Sequence, residues 1–232
     1  MLLFAAEFPI FRAFRESDLF GQIILLGLFV FSVFAWSIIL RKYLAFRQAQ
    51  AASRTFRSTY RKHSDDPLQL IEQEIYLEEC PFFEIADRAL EALHAEVERR
   101  GDNPRAMVPM VTVEAIEKNL DRTIGDETLK LERGLNLLAT AASACPLIGL
   151  LGTVWGVLLA FQRVAEEASA QIHVISQGIS VALSTTVVGL LVAIPSLVMY
   201  NWMTTIIRRF ETEMESFASE VLEDIERRYV EP

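Results

Sequence analysis

Residues 178–201 read GISVALSTTVVGLLVAIPSLVMYN, and residues 149–161 read GLLGTVWGVLLAF. Neither stretch holds an Asp, Glu, Lys or Arg. A helix needs about 20 apolar residues to cross a hydrocarbon core ~30 Å thick, so gaps between charged residues are the informative measure. Three gaps are long enough. One runs over residues 19–40, between Asp18 and Arg41; one over 134–162, between Arg133 and Arg163; one over 171–207, between Glu167 and Arg208. The third is polar at its start, where His173 and Gln177 lie, which leaves a buried part of about 26 residues, or ~39 Å of helix, a length that a tilted span fits.

The remainder of the chain belongs in water. Hydrophobic residues make up 52% of the 232, yet the formal charge is -9, a mixture that neither a soluble domain nor a pure membrane bundle has. Acids and bases are interleaved in the polar segments, as on a solvated surface. Cys80 lies in a polar segment and Cys145 in a span, so no disulfide is expected. The N-terminus lacks the basic region of a cleaved leader, and residues 1–18 are expected to stay, with Phe4, Phe8, Phe11, Arg12, Phe14 and Arg15 forming an amphipathic segment on the membrane surface.

Charge asymmetry sets the orientation. Arg41, Lys42, Arg47, Arg54, Arg57, Arg61 and Lys62 follow the first span, Lys130 and Arg133 precede the second, and Arg208 and Arg209 follow the third, against Arg12, Arg15 and Arg163 on the other side. By the positive-inside rule the basic side is cytoplasmic. The expected organisation is an all-α membrane protein with three transmembrane helices and long cytoplasmic helical extensions. Residues 1–18 form the outer segment, 19–40 the first span, 41–133 a cytoplasmic helical insertion, 134–162 the second span, 163–170 a short outer loop, 171–207 the third span and 208–232 a cytoplasmic C-terminal helix. Pro67, Pro81 and the run Gly101, Asp102, Asn103, Pro104 break the insertion. Ile116, Leu120, Ile124, Leu131, Leu135 and Leu138 keep helical spacing, so the second span is expected to continue out of the membrane as one long helix. Ile206, Phe210, Met214, Phe217, Val221 and Ile225 form a similar stripe after the third, which packs either within the chain or between subunits.

Small residues mark the spans. Gly149, Thr153, Gly156 and Ala160 share one face of the second, with Gly152 beside them, and Gly178, Ala182, Thr185, Gly189, Ala193 and Ser196 share one face of the third. Such faces let helix backbones approach closely, and helix packing is the role expected of the glycines and alanines. The hydroxyls Thr153, Ser184, Thr185 and Thr186 are a different matter. Three in succession point around much of the helix, so some should face a polar lumen or a partner helix. Pro146 and Pro195, inside the second and third spans, are hinge candidates. His173 stands at the outer boundary, where an interfacial role is expected.

The two quoted stretches resemble the MotA/TolQ/ExbB proton channel family, most closely its TolQ/ExbB branch, as does the layout of three spans with a large insertion after the first. The resemblance implies a homo-oligomeric, pentameric ring in the bacterial inner membrane, with the N-terminus periplasmic. Its second and third spans would line a pore holding the single spans of a TolR- or ExbD-like partner that carries a membrane aspartate. A TolA- or TonB-like protein would transmit the force. Thr153 and Thr186 match the family's pore-facing threonines. One position departs: where TolQ and ExbB carry a glutamate on the third span, this chain has Val181.

No Asp, Glu, Lys or Arg lies deep in any span, and hydroxyls have no pKa suited to holding a proton near neutrality. The chain therefore needs its proton carrier from elsewhere. No phosphate-binding loop, metal-ligand spacing, nucleophile elbow or nucleic-acid footprint is present, so the reading is not an enzyme, with no cofactor and no nucleic acid. The alternatives are a flagellar-type stator subunit, against which the short chain and three spans stand, and a non-conducting membrane scaffold, against which the hydroxyl cluster stands.

Overall fold

The computed structural model describes residues 14–62, 80–99, 108–166 and 172–230. Residues 1–13, Pro67, the Gly101–Pro104 run, residues 167–170 of the expected outer loop 163–170, residue 171 and the side chains of His173 and Gln177 lie outside the described residues. Among the described residues five helices follow in order: α1 (Leu19–Lys62), α2 (Pro81–Arg99), α3 (Met110–Glu132), α4 (Leu135–Glu166) and α5 (Ile172–Tyr229). Three are long and apolar enough to cross a membrane, over Leu19–Lys62, Leu135–Arg163 and Gly178–Tyr229. Among the described residues there is no strand, only a parallel bridge in which the Val108 N–H donates to the Tyr229 carbonyl at 2.6 Å.

The chain divides into two compact units, Met1–Leu40 with Gly134–Met203, and Arg41–Arg133 with Thr204–Pro232. In the first, α1 begins at an N-cap: the Asp18 carboxylate accepts from the N–H of Gly21 at 3.1 Å and of Phe20 at 3.3 Å. Its Ile24 and Leu28 pack with Ala141 and Cys145 of α4 and Val192 and Ala193 of α5. The outward residues, among them Phe29, Phe34, Leu150, Val154, Leu191 and Ile194, are large and apolar. A surface of that kind suits lipid or neighbouring membrane helices, not water.

The second unit is a helical bundle with an aromatic centre. Phe82 of α2 stacks on Phe210 and Phe217 of α5, with centroids 5.6 and 4.9 Å apart, and Tyr60 of α1 meets Phe217 edge-on at 5.2 Å. Phe210, Met214, Phe217, Val221 and Ile225 are buried among Ile85, Leu93, Ile116 and Leu120. The α5 stripe is thus covered by helices of its own chain, which selects the first of the two arrangements its spacing allowed. Arg57 and Arg61 both grip Glu220, at 3.0 and 2.7 Å. Their hydrogen bonds, that of Arg61 foremost, hold its carboxyl below the usual range.

The expected single helix through residues 116–138 is two helices. The Arg133 N–H donates back to the Leu129 carbonyl, Gly134 turns at φ +90°, and α4 starts at Leu135. Only glycine enters that region without strain, so an apolar period that runs through the junction hides a break between two helices. A Cβ on Gly134 would meet nothing within 4 Å, so the cost of a side chain there is purely conformational. Gly134→Ala is expected to destabilise by roughly 1–2 kcal/mol and Gly134→Asn by less, because Asn tolerates positive φ. Thermal unfolding in detergent measures both, and equal melting of the two variants would refute the assignment.

Candidate functional site

Within the first unit, α4 and α5 meet along their small-residue faces. Ala160 approaches Gly178, Gly156 approaches Ala182, Gly152 approaches Thr185 and Gly149 approaches Gly189. Each step of three or four residues down α4 matches one up α5, the register of two antiparallel helices. The approach is close enough to demand these residues. A Cβ on Gly156 would stand 2.6 Å from Ala182 Cβ, one on Gly152 2.6 Å from Thr185 Oγ1, and one on Gly189 2.5 Å from the Cys145 carbonyl oxygen. Of the small residues named in the sequence, Gly149, Gly152, Gly156, Ala160, Gly178, Ala182 and Gly189 take part in this one intramolecular seam, whereas Ala193 packs in the cluster with Ile24 and Leu28.

The hydroxyls divide. Thr185 is buried in the seam, its Oγ1 2.7 Å from the Ala182 carbonyl of its own helix and 3.0 Å from the Gly149 carbonyl of α4. Thr153 and Thr186 are half-buried and hydrogen-bonded to each other. Thr153 Oγ1 also reaches the Gly149 and Ala182 carbonyls, each at 3.2 Å, and Thr186 Oγ1 reaches Gly149 at 3.1 Å. Two carbonyls therefore serve three hydroxyls, and the Thr153–Thr186 bond satisfies the geometry in either direction: Thr153 donates while Thr186 turns to Gly149, or Thr186 donates while Thr153 turns to Ala182. Ser184 stands apart and donates to the Ser180 carbonyl of its own helix at 2.9 Å. A turn of about 100° per residue separates it from Thr185.

The pair lies on the side of the seam turned from α1. Trp155 faces α1, its ring 4.6 Å from that of Phe20 and its Nε1 donating to Asp18 Oδ2 at 3.0 Å. Val188 packs against the cluster that holds Ile24 and Leu28. Thr153 precedes Trp155 by two residues and Thr186 precedes Val188 by two, about 200° of turn in each case. Asp18 and Trp155 were not among the sequence candidates. Ser17–Asp18 ahead of an apolar run is an ordinary N-cap signal, but nothing local ties it to Trp155.

Both prolines sit inside helices that continue past them, and each withholds one N–H from the carbonyl four residues earlier. Ser196, next to Pro195, is buried and donates to the Val192 carbonyl at 2.7 Å. Val181 is half-buried on α5. Cys145 lies buried beside Gly189, and burial pushes the thiol of Cys80, in the other unit, up from its ordinary value. The first unit thus offers, among its described residues, paired hydroxyls beside shared carbonyls and no carboxylate in the seam.

A model of the MotA/TolQ/ExbB proton channel family matches residues 84–216, reaching well upstream of the two stretches that carry the resemblance. The chain is 27% identical over 227 residues to the Tol-Pal system protein TolQ of Haemophilus influenzae, which covers 93% of this chain and 92% of that one. It is 27% identical over 201 residues to the biopolymer transport protein ExbB of Xanthomonas campestris pv. campestris, covering 86% and 79%. To the Tol-Pal system protein TolQ of Pseudomonas aeruginosa it is 30% identical over 180 residues, covering 78% and 76%.

Proposed function

The chain belongs to the MotA/TolQ/ExbB proton channel family, and from that premise we propose that it is the pore-forming ring subunit of an inner-membrane motor driven by the proton-motive force. The observation that carries the reading is the Thr153–Thr186 pair on the side of the α4–α5 seam turned from α1. Copies arranged in a pentameric ring with α1 outermost would turn these hydroxyls toward a shared lumen. A TolR- or ExbD-like single span inside it would bring the aspartate that the seam lacks, and the hydroxyls would hydrogen-bond that carboxylate or its waters. A TolA- or TonB-like protein would carry the motion to the outer membrane or envelope. The relatives reported are named TolQ and ExbB, which favours this branch over a flagellar-type stator.

The small-residue faces meet within one chain, so they leave no surface from which a ring could be argued. The ring rests on the family and on the apolar outer surface, which neighbours as well as lipid can cover. The basic flank of the spans orients the C-terminus and residues 41–133 to the cytoplasm and the N-terminus to the periplasm. The chain's part is conduction and force generation, not catalysis.

The test is purification in mild detergent with the single-span protein encoded beside it, followed by native mass spectrometry. A closed ring of identical subunits holding the smaller protein is expected. A monomer that retains no partner would overturn the proposal and favour the scaffold.

A further inference from the structure

Lys42 and Arg133 carry positive charge near two span ends: Lys42 follows Arg41 just beyond the charge-free run 19–40, and Arg133 immediately precedes the run 134–162. Lys42 Nζ donates to the carbonyls of Lys130 and Leu131, at 3.1 and 2.9 Å, capping the C-terminus of α3 just before the Gly134 break. Burial lowers the Lys42 pKa from its ordinary value, and the nearby positive charge of Arg133 lowers it further. Two like charges are thus held together beside the ends of two charge-free runs, where helices leaving a bilayer would meet its headgroups.

Beside them, α2 and α3 enclose an open groove of about 760 Å³. Its acids are mostly spoken for. Glu84 pairs with Arg88 at 3.2 Å, and Glu127 pairs with Lys130. That leaves Asp126 against Arg122 and Arg133, two guanidinium groups without an ion pair among the described residues, so the groove keeps a surplus positive charge with Lys42 next to it. Leu129 lines the same groove and is 64% exposed, an apolar surface next to unpaired guanidinium groups.

We infer that this groove binds the phosphodiester headgroup of an anionic phospholipid, with Arg133 holding the phosphate, Arg122 adding positive charge farther along α3, and Leu129 meeting the glycerol and the start of an acyl chain. Guanidinium groups match phosphate oxygens in a two-pronged geometry and are weakly hydrated, so they desolvate readily at an interface. Free phosphate would meet the same positive charge but gain nothing from Leu129. The lipid headgroup is therefore the better fit. No hydroxyl of the seam takes part, and the inference stands or falls apart from the pore.

The experiment uses the full chain in mild detergent, titrated with phosphatidylglycerol or phosphatidylcholine and followed by native mass spectrometry. Phosphatidylglycerol should bind more tightly than phosphatidylcholine. Arg122→Gln with Arg133→Gln should weaken it about thirtyfold, at a factor of about five per cation. Asp126→Asn should tighten it by a comparable single factor, a gain that misfolding cannot mimic. Lys118→Gln, on an exposed position of α3 that does not line the groove, should change nothing. Equal affinity for the two lipids, or insensitivity to both the arginine and the Asp126 variants, would overturn the site. Displacement of phosphatidylglycerol by an equimolar amount of inorganic phosphate would overturn the lipid as its occupant.

Discussion

Gly156→Val is expected to force α4 and α5 apart and to cost about 3 kcal/mol or more of the first unit's stability. The new Cβ would stand 2.6 Å from Ala182 Cβ, well inside ordinary carbon contact, and its neighbour across the seam is the start of a side chain fixed to the α5 backbone. No rotamer relieves that clash, because it arises at Cβ itself. The helices must move by about 1 Å, and overpacking of this kind costs ~1–3 kcal/mol before any hydrogen bond is lost. Hydrogen bonds will be lost as well. Thr153 reaches the Ala182 carbonyl at 3.2 Å, less than one turn away on α4, so little displacement is needed to break it. In lipid there is no hydrophobic force between helices to compensate, since packing and polar contacts are what hold them. Unfolding in mixed detergent, followed by tryptophan fluorescence, measures the loss. Gly27→Val is the control, because Gly27 lies on α1 with nothing within 4 Å of its would-be Cβ. If Gly156→Val unfolds like the Gly27 variant, the seam is looser than described.

The contrast between these glycines shows what sequence could and could not reveal. A period of 3.6 identifies the residues that share a face, so the small faces of α4 and α5 were legible, but periodicity is silent about what covers a face. The α5 stripe makes the same point: Phe210 and Phe217 read as a face seeking a partner, and the partner is Phe82, brought there by a helix more than a hundred residues earlier. The spans were legible for a simpler reason, since each is a gap between charges that lipid would exclude. The break at Gly134 was not, because Leu131, Leu135 and Leu138 keep an apolar period across it, while the signal that marks it, a basic last turn followed by glycine, is local. Among the hydroxyls, three successive residues cannot share a face. Only the register against Gly149 and Gly152 settles that Thr185 is buried, Thr186 is at the edge and Ser184 is outside.

That division makes the threonines experimentally separable, and Thr153→Val and Thr186→Val are expected to abolish most proton-driven function while leaving the fold nearly intact. Thr→Val keeps the shape and deletes the hydroxyl. In the seam the deletion is cushioned: without Thr153 the Ala182 carbonyl still accepts from Thr185 at 2.7 Å, and the Gly149 carbonyl still has Thr185 and Thr186 within reach. No buried carbonyl is orphaned, so the stability cost should stay below ~1 kcal/mol, as for many interhelical hydrogen bonds in membranes. The carboxylate of the proposed partner would have no such redundancy at the pair. Losing one donor to a charged group in a low-dielectric lumen costs ~1.5–3 kcal/mol, which is tenfold or more in the rate of a step that depends on it. Thr185→Val should invert the pattern, with a larger loss of stability from its buried position and a smaller direct effect on conduction. The measurements are proton flux in vesicles containing chain and partner, envelope integrity in cells, and melting of the same assemblies. Thr153 and Thr186 variants that assemble and conduct at the parental rate would refute the mechanism. So would proton conduction by the chain alone, since its seam holds no carboxylate to carry the proton.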